Sequence, residues 1–178
     1  MQPEPNVPPV KLFVITLHKD HSTFERAAER LLQHFGNIDY MSDDFAFTAT
    51  TYYQKEMGTG LVRRLCSFEK LIPPQELAAI KQFTIELEND FRRQNQRAIN
   101  LDPGYIDYCK VVLASAKFGG QKIYLREGIY ADMNLVMHKG KWQSFEWSFP
   151  DFKSGLYDAA LSTMRELYKA QVRALKLS

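Results

Sequence analysis

The chain has 178 residues, 45% hydrophobic and 25% charged, a balance ordinary for a globular domain at about 100–200 residues per domain. That composition excludes an intrinsically disordered chain. With 23 basic against 21 acidic side chains the net charge is +2, so overall charge gives no push toward nucleic acid or an anionic membrane.

The first nine residues hold four prolines and predict an extended arm, with residues 10–178 expected to form a single α+β domain. The N-terminus lacks the basic start and apolar run of a secretory signal. No stretch approaches the ~18 apolar residues of a membrane span, so the expected location is the cytoplasm. Residues 10–17 are apolar on both alternating sets, as in a central strand covered on both faces. Ser22 and Glu25 have capping-box spacing. Phe24, Ala27, Ala28, Leu31, Leu32 and Phe35 then form one helical stripe, stopped by Gly36.

Residues 38–53 read as β structure interrupted near Ser42–Asp44, 54–60 as a loop, and 61–70 as a strand. Pro73 and Pro74 open a second helix. Its apolar side is Leu77, Ile80, Phe83, Thr84, Leu87 and Phe91, and its solvated side Lys81, Glu86, Glu88, Asn89, Arg92 and Arg93. A strand is expected over 106–117, a turn at FGGQ, and a short strand at IYL. From Gly128 a strict alternation puts Ile129, Ala131, Met133, Leu135 and Met137 on one face and Tyr130, Asp132, Asn134, Val136 and His138 on the other. Lys139–Gly140 is a hairpin turn, KWQSFEW returns, and a last helix over 156–175 faces inward through Leu156, Ala159, Ala160, Thr163, Met164 and Leu167. The order β-α-β-β-α-β matches the ferredoxin-like split motif. The expected architecture is a mainly antiparallel sheet with that core, helices on one face, and a C-terminal hairpin and helix.

Cys66 and Cys109 form no metal or redox motif and read as buried, reduced thiols. His18 and His21, with Asp20 between, read as a solvated loop, so no metal site is assigned. His34 and His138 have no visible catalytic partner. Arg63 and Arg64, adjacent on one strand, must face opposite sides. Asn100-Leu101-Asp102-Pro103-Gly104-Tyr105 (NLDPGY) predicts a type II turn, because proline fixes φ and glycine permits positive φ.

These phrases also carry a wider pattern. Tyr53, Glu56-Met57-Gly58, Ser67 to Ile72, Ile80-Lys81, Thr84, Leu87-Glu88, NLDPGY, Val112 to Ser115, Lys117, Ile123 to Leu125, Gly128 to Tyr130 and Pro150-Asp151 together resemble the bacterial and archaeal family called domain of unknown function 4416. The likeness runs from Pro9 to the final helix. The chain departs from that pattern at Ile85, where Asn is usual, at Gln121-Lys122, where His-Arg precedes IYL, and at Trp147-Ser148-Phe149, which replaces Trp-Thr-Tyr. The resemblance implies candidate residues but no reaction. It extends to relatives that carry a GTP-binding label, yet this sequence has no G-x-x-x-x-G-K-[ST] loop to cradle phosphates.

Two readings follow. In the first, a small anionic ligand such as a nucleotide or phosphorylated metabolite binds in a cleft beside NLDPGY, with candidate residues Arg64, Glu69, Asn100, Asp102, Gly104, Tyr105, Lys110, Lys117, Tyr130 and Asp132. An enzymatic version would use Asp102 or Asp132 as base or metal ligand. In the second, NLDPGY is purely structural and the protein is a non-enzymatic assembly module, a homo-oligomer joined through the sheet or the late aromatics Trp142, Phe145, Trp147, Phe149 and Phe152. Nucleic-acid binding has little support, since RNP phrases are absent and the net charge is near zero. No cofactor is assigned. Convergence of Arg63 or Arg64, Lys110 and Asp102 in one cleft is the feature that separates the two readings.

Overall fold

The computed structural model describes residues 7–94 and 96–177, less the side chains of 176 and 177. Residues 1–6 of the expected arm therefore lie outside the described part. Strand β1 (Val10–His18) is buried along its whole length. It has a neighbour on each side, β4 (Val62–Ile72) and β5 (Ile99–Ile106), both antiparallel. The sheet continues through β2 (Ile38–Met41) at one end, and through β6 (Lys110–Ser115), β8 (Ile129–His138) and β7 (Ile123–Arg126) at the other, in the order β2-β4-β1-β5-β6-β8-β7. The short β3 (Phe45–Ala46) pairs with β4, and β9 (Lys141–Ser144) with β8. Among the described residues every strand pair is antiparallel.

Helices cover both faces of this sheet, not one. Val10, Leu12 and Val14 pack with Ala27 and Leu31 of α1 (His21–Phe35) and with Ile80 and Leu87 of α3 (Leu77–Asp90). The alternate residues Phe13 and Ile15 pack with Leu161 and Met164 of α5 (Asp158–Leu177) and with Phe152 of the short α4 (Pro150–Lys153). The largely apolar character of β1 has this cause: both of its side-chain sets are core, each large apolar side chain adding about 1.5–3 kcal/mol by burial.

Local details shift accordingly. The N-cap of α1 is Asp20, whose carboxylate accepts from the Ser22 backbone N–H, while Gly36 at φ 90° closes the helix. Residues 54–57 make a short helix, α2 (Gln54–Met57), instead of a loop. In β8 a bulge at Asn134 breaks the expected alternation, since Val111 pairs with Leu135 but Val112 with Met133. Ile129 consequently packs with Val112 and Ala114, whereas Leu135 packs on the other face with Val111 and Leu113. The buried set of α5 is Ala160, Leu161, Met164, Tyr168 and Val172, preceded by Tyr157, and Leu156 is exposed. The tyrosines turn inward because their hydroxyls find buried partners: Tyr157 donates to Asp151 Oδ2 at 2.8 Å and Tyr168 to the Pro9 carbonyl at 3.1 Å. Cys66 is buried but Cys109 is exposed, because the strand expected over 106–117 begins with a turn. There the Asp107 carboxylate accepts from the N–H groups of Cys109 and Lys110. Among the described residues no helix is long and apolar enough to cross a membrane.

Candidate functional site

NLDPGY is not a turn. Asn100 to Tyr105 lie within β5, paired to β1 from Lys11↔Ile106 to His18↔Ile99. Gly104 is absent from the positive-φ residues and is required for a different reason. A Cβ built there would meet the Val112 carbonyl at 2.6 Å and Leu113 Cδ2 and Phe13 Cζ at 2.8 Å. Glycine thus lets β5 and β6 close up at that point. Their pairing covers only Gly104–Ile106 against Val111–Leu113. Pro103 stands immediately past the last pair, where a residue without an N–H ends a ladder at least cost.

Beyond Gly104 the two strands part, and the gap is the mouth of a cleft of about 620 Å³. Asn100 and Asp102 line it from β5, Leu113 and Ser115 from β6, and Arg63 from β4. Helix α3 runs beneath β5, β6 and β8 and supplies Lys81, Ile85 and Glu88 as the floor. Phe47, Tyr52 and Tyr53 overhang one side, held by a small core of Leu17, Phe47 and Leu61 with Ala49, Tyr53 and Met57. Phe149, Pro150 and Asp151 close the other. Six cationic side chains line the cleft (Arg63, Lys81, Arg92, Arg97, Lys117 and Lys122) against four carboxylates, Glu88, Asp102, Asp132 and Asp151.

Most of these charges are tied down. Lys81 Nζ donates to the Leu101 carbonyl at 2.8 Å and to Asp102 Oδ1 at 3.1 Å, and Asn100 Nδ2 donates to Asp102 Oδ2 at 2.8 Å. Burial alone would raise the Asp102 pKa, but Lys81, Arg63 and the hydrogen bond from Asn100 together outweigh it and hold the carboxyl below its usual range. Arg63 Nη1 donates to Asp151 Oδ2 at 2.5 Å, and its guanidinium lies 4.5 Å over the Phe47 ring. Lys122 Nζ donates to Ser115 Oγ at 2.8 Å and stands 3.5 Å from Asp132 Oδ2. Two buried atoms of the lining residues, Arg63 Nε and Asp132 Oδ1, have no hydrogen-bond partner. A buried polar group left in that state costs about 1–3 kcal/mol, so both favour a ligand or water that would satisfy them.

Of the ten candidates read from sequence, Asn100, Asp102, Lys117 and Asp132 line the cleft. The others lie elsewhere. Arg64 faces α1, over Phe24, and pairs with Asp44. Glu69, toward the far end of β4, accepts from Asn37 Nδ2 at 3.1 Å. Gly104 is the closure point, and Tyr105 packs beneath the sheet with Val112 and Leu77. Lys110 pairs with Asp107 at the hairpin end of the seam. Tyr130 stacks edge-on with Phe118 and Tyr124. Arg63 and Asp102 therefore converge, but Lys110 does not.

Sequence reasoning missed Lys81 and Glu88, which are buried at 6% and 7% exposure, not solvated. Their signal was the spacing of Lys81, Thr84, Ile85 and Glu88, which forms a second stripe beside the apolar one. Lys122, at one of the positions that depart from His-Arg, keeps a cation in the cleft. Leu101 N–H donates to Glu88 Oε1 at 2.7 Å, and burial pushes the Glu88 pKa up to about 6. Between about pH 4.5 and 6 the folded chain therefore holds a proton that the unfolded chain has lost, so this group's contribution to stability falls as pH rises. The shift corresponds to about 2 kcal/mol. Glu88→Gln should flatten that fall in urea denaturation series run from pH 4 to 7, and an unchanged slope would contradict the assignment.

Fold and cleft together define an α+β protein with an antiparallel sheet and a charged, partly enclosed cavity at a parted strand seam. The family profile described as "Domain of unknown function (DUF4416)" matches residues 8–168, and the chain belongs to that family. No curated protein and no solved structure matches the chain.

Proposed function

We propose that the protein binds a small anionic organic molecule, a nucleotide or phosphorylated metabolite, in the cleft between β5 and β6. The observation that carries this reading is the excess of cations over carboxylates around a cavity of about 620 Å³, the size range of small-molecule sites. Several residues that carry the family resemblance (Tyr53, Lys81, Glu88, Asn100, Asp102, Ser115, Lys117 and Asp151) meet at this one place. Asp102 and Asp132 are each held by a lysine, which favours roles in orienting those ammonium groups over ligating a metal. The reading takes the protein as cytoplasmic and as a single domain from residue 10, since every strand joins one sheet. The order β2-β4-β1-β5 supports reading its first half as ferredoxin-like.

Isothermal titration with nucleoside mono-, di- and triphosphates and sugar phosphates tests this directly. One class should bind at one site per chain, and Lys122→Met and Lys81→Met should each weaken it about tenfold or more, the loss expected of a buried charged contact. Absence of binding by every class would overturn the reading.

One observation favours assembly as a second reading. Strand β7 ends the sheet, and beside it Phe118, Ile123 and Tyr124 are 79%, 70% and 58% exposed. An apolar, unpaired edge is a template for a second copy of the same strand. Light scattering should then show a dimer that Ile123→Lys disperses, and a monomer at all concentrations would rule it out.

A further inference from the structure

Where β1 ends, on the face covered by α1, a second polar constellation lies apart from the cleft lining. His18 closes β1 and is fully buried, not part of a solvated loop. His21 opens α1 three residues later. Asp44 precedes β3, which pairs with β4 beside Val62, the partner of His18. One imidazole nitrogen from each histidine and a carboxylate oxygen of Asp44 lie within 4.8 Å of one another.

The surroundings prepare His18 to be a ligand. Its ring stacks on Phe24 at 4.8 Å between centroids, which fixes its plane. Thr16 Oγ1 donates its one proton to the Arg64 carbonyl at 3.3 Å. The contact between that oxygen and His18 Nδ1, also 3.3 Å, must then have Nδ1–H as donor. The lone pair therefore sits on Nε2, and Nε2 is buried with no hydrogen-bond partner. A hydrogen-bonded second nitrogen that sets the tautomer of the first is the outer-shell support typical of metal-binding histidines. Asp44 is oriented in the same manner, one oxygen taken by Arg64 Nε and the other 3.2 Å from His21 Nε2.

We propose that His18, His21 and Asp44 bind a divalent transition-metal ion of the zinc type. Two imidazoles and a carboxylate suit that class, and three protein ligands leave a fourth position for water. Ligand bonds of about 2.0–2.1 Å require a tighter cluster than 4.8 Å. His21 is 59% and Asp44 29% exposed at the side chain, so these two can close upon the fixed His18. The Arg64 charge opposes the cation and limits affinity.

The test uses untagged, chelator-stripped full-length protein titrated with Zn²⁺ by calorimetry and with Co²⁺ by visible absorption. One ion per chain is expected, with the intense d–d bands of a four- or five-coordinate site and no thiolate charge-transfer band. His21→Ala and Asp44→Ala, both changes at accessible side chains, should each weaken binding about tenfold or more, since losing even an outer-shell partner costs 10–100-fold. Cys109→Ser should bind as the parent does, which separates this site from the exposed thiol. No bound ion, or equal affinity in the His21 and Asp44 variants, overturns the proposal.

Discussion

Asp151→Asn should destabilise the fold by about 3–5 kcal/mol, the cost of stranding one member of a buried ion pair. The side chains of Arg63 and Asp151 are 9% and 4% exposed, and Tyr157 donates to the same carboxylate oxygen. Arg63 already has an unpartnered Nε. Without Asp151 it would keep its charge against the Phe47 ring without its direct ion pair, and Asp102 would act on it only through space. Burial by itself would lower the Arg63 pKa, but Asp151, Tyr157, Asp102 and Tyr53 together outweigh it and the value is raised. Urea denaturation of the single variant and of Arg63→Met/Asp151→Leu checks this. The double variant should recover most of the loss, because removing both charges removes the desolvation penalty along with the pair. A single-variant loss below about 1 kcal/mol would show that water reaches the pair freely.

Gly104→Ala should cost about 3 kcal/mol, the upper part of the usual overpacking range. Two of the three atoms a methyl would meet are side-chain carbons, but the nearest is the Val112 carbonyl at 2.6 Å, which belongs to the partner strand. That oxygen moves only if β5 and β6 move apart. For a chain of this length about 2–4 °C is lost per kcal/mol, so the melting temperature should fall by roughly 6–12 °C. The same parting widens the cleft, so ligand affinity should fall with stability. A variant that melts with the parent would mean that the seam is loosely held. Ligand affinity retained in a destabilised variant would separate closure from binding.

Much of the fold was legible because local physics dictated it. The double-sided apolar run of β1, the stripe of α1 with its Gly36 stop, the prolines before α3 and the Lys139–Gly140 turn each depend on neighbours within a few residues. The misreadings share another cause. Pro103 and Gly104 suggested a turn because that is their commonest local use. Here one ends a ladder and the other makes room for a carbonyl from a strand eight residues on. The bulge at Asn134 reverses the faces of β8 without leaving a mark in the alternation. Lys81 and Glu88 read as solvated because charge usually is, yet β5 passes over them and offers a carbonyl, an amide and a carboxylate.

The same division holds for the sites. By itself the sequence determined the mixed α+β class, the longer strands and helices apart from β5, the family, and four residues of the cleft, because these follow from periodicity and from contiguous motifs. Tertiary structure alone decided that Arg63 and not Arg64 enters the cleft and that α3 forms its floor. It also brought Asp44 to His18 and His21 across more than twenty residues of chain. A charged side chain is recruited to a site by which groups the sheet register sets opposite it, and register is fixed only when the strands have paired.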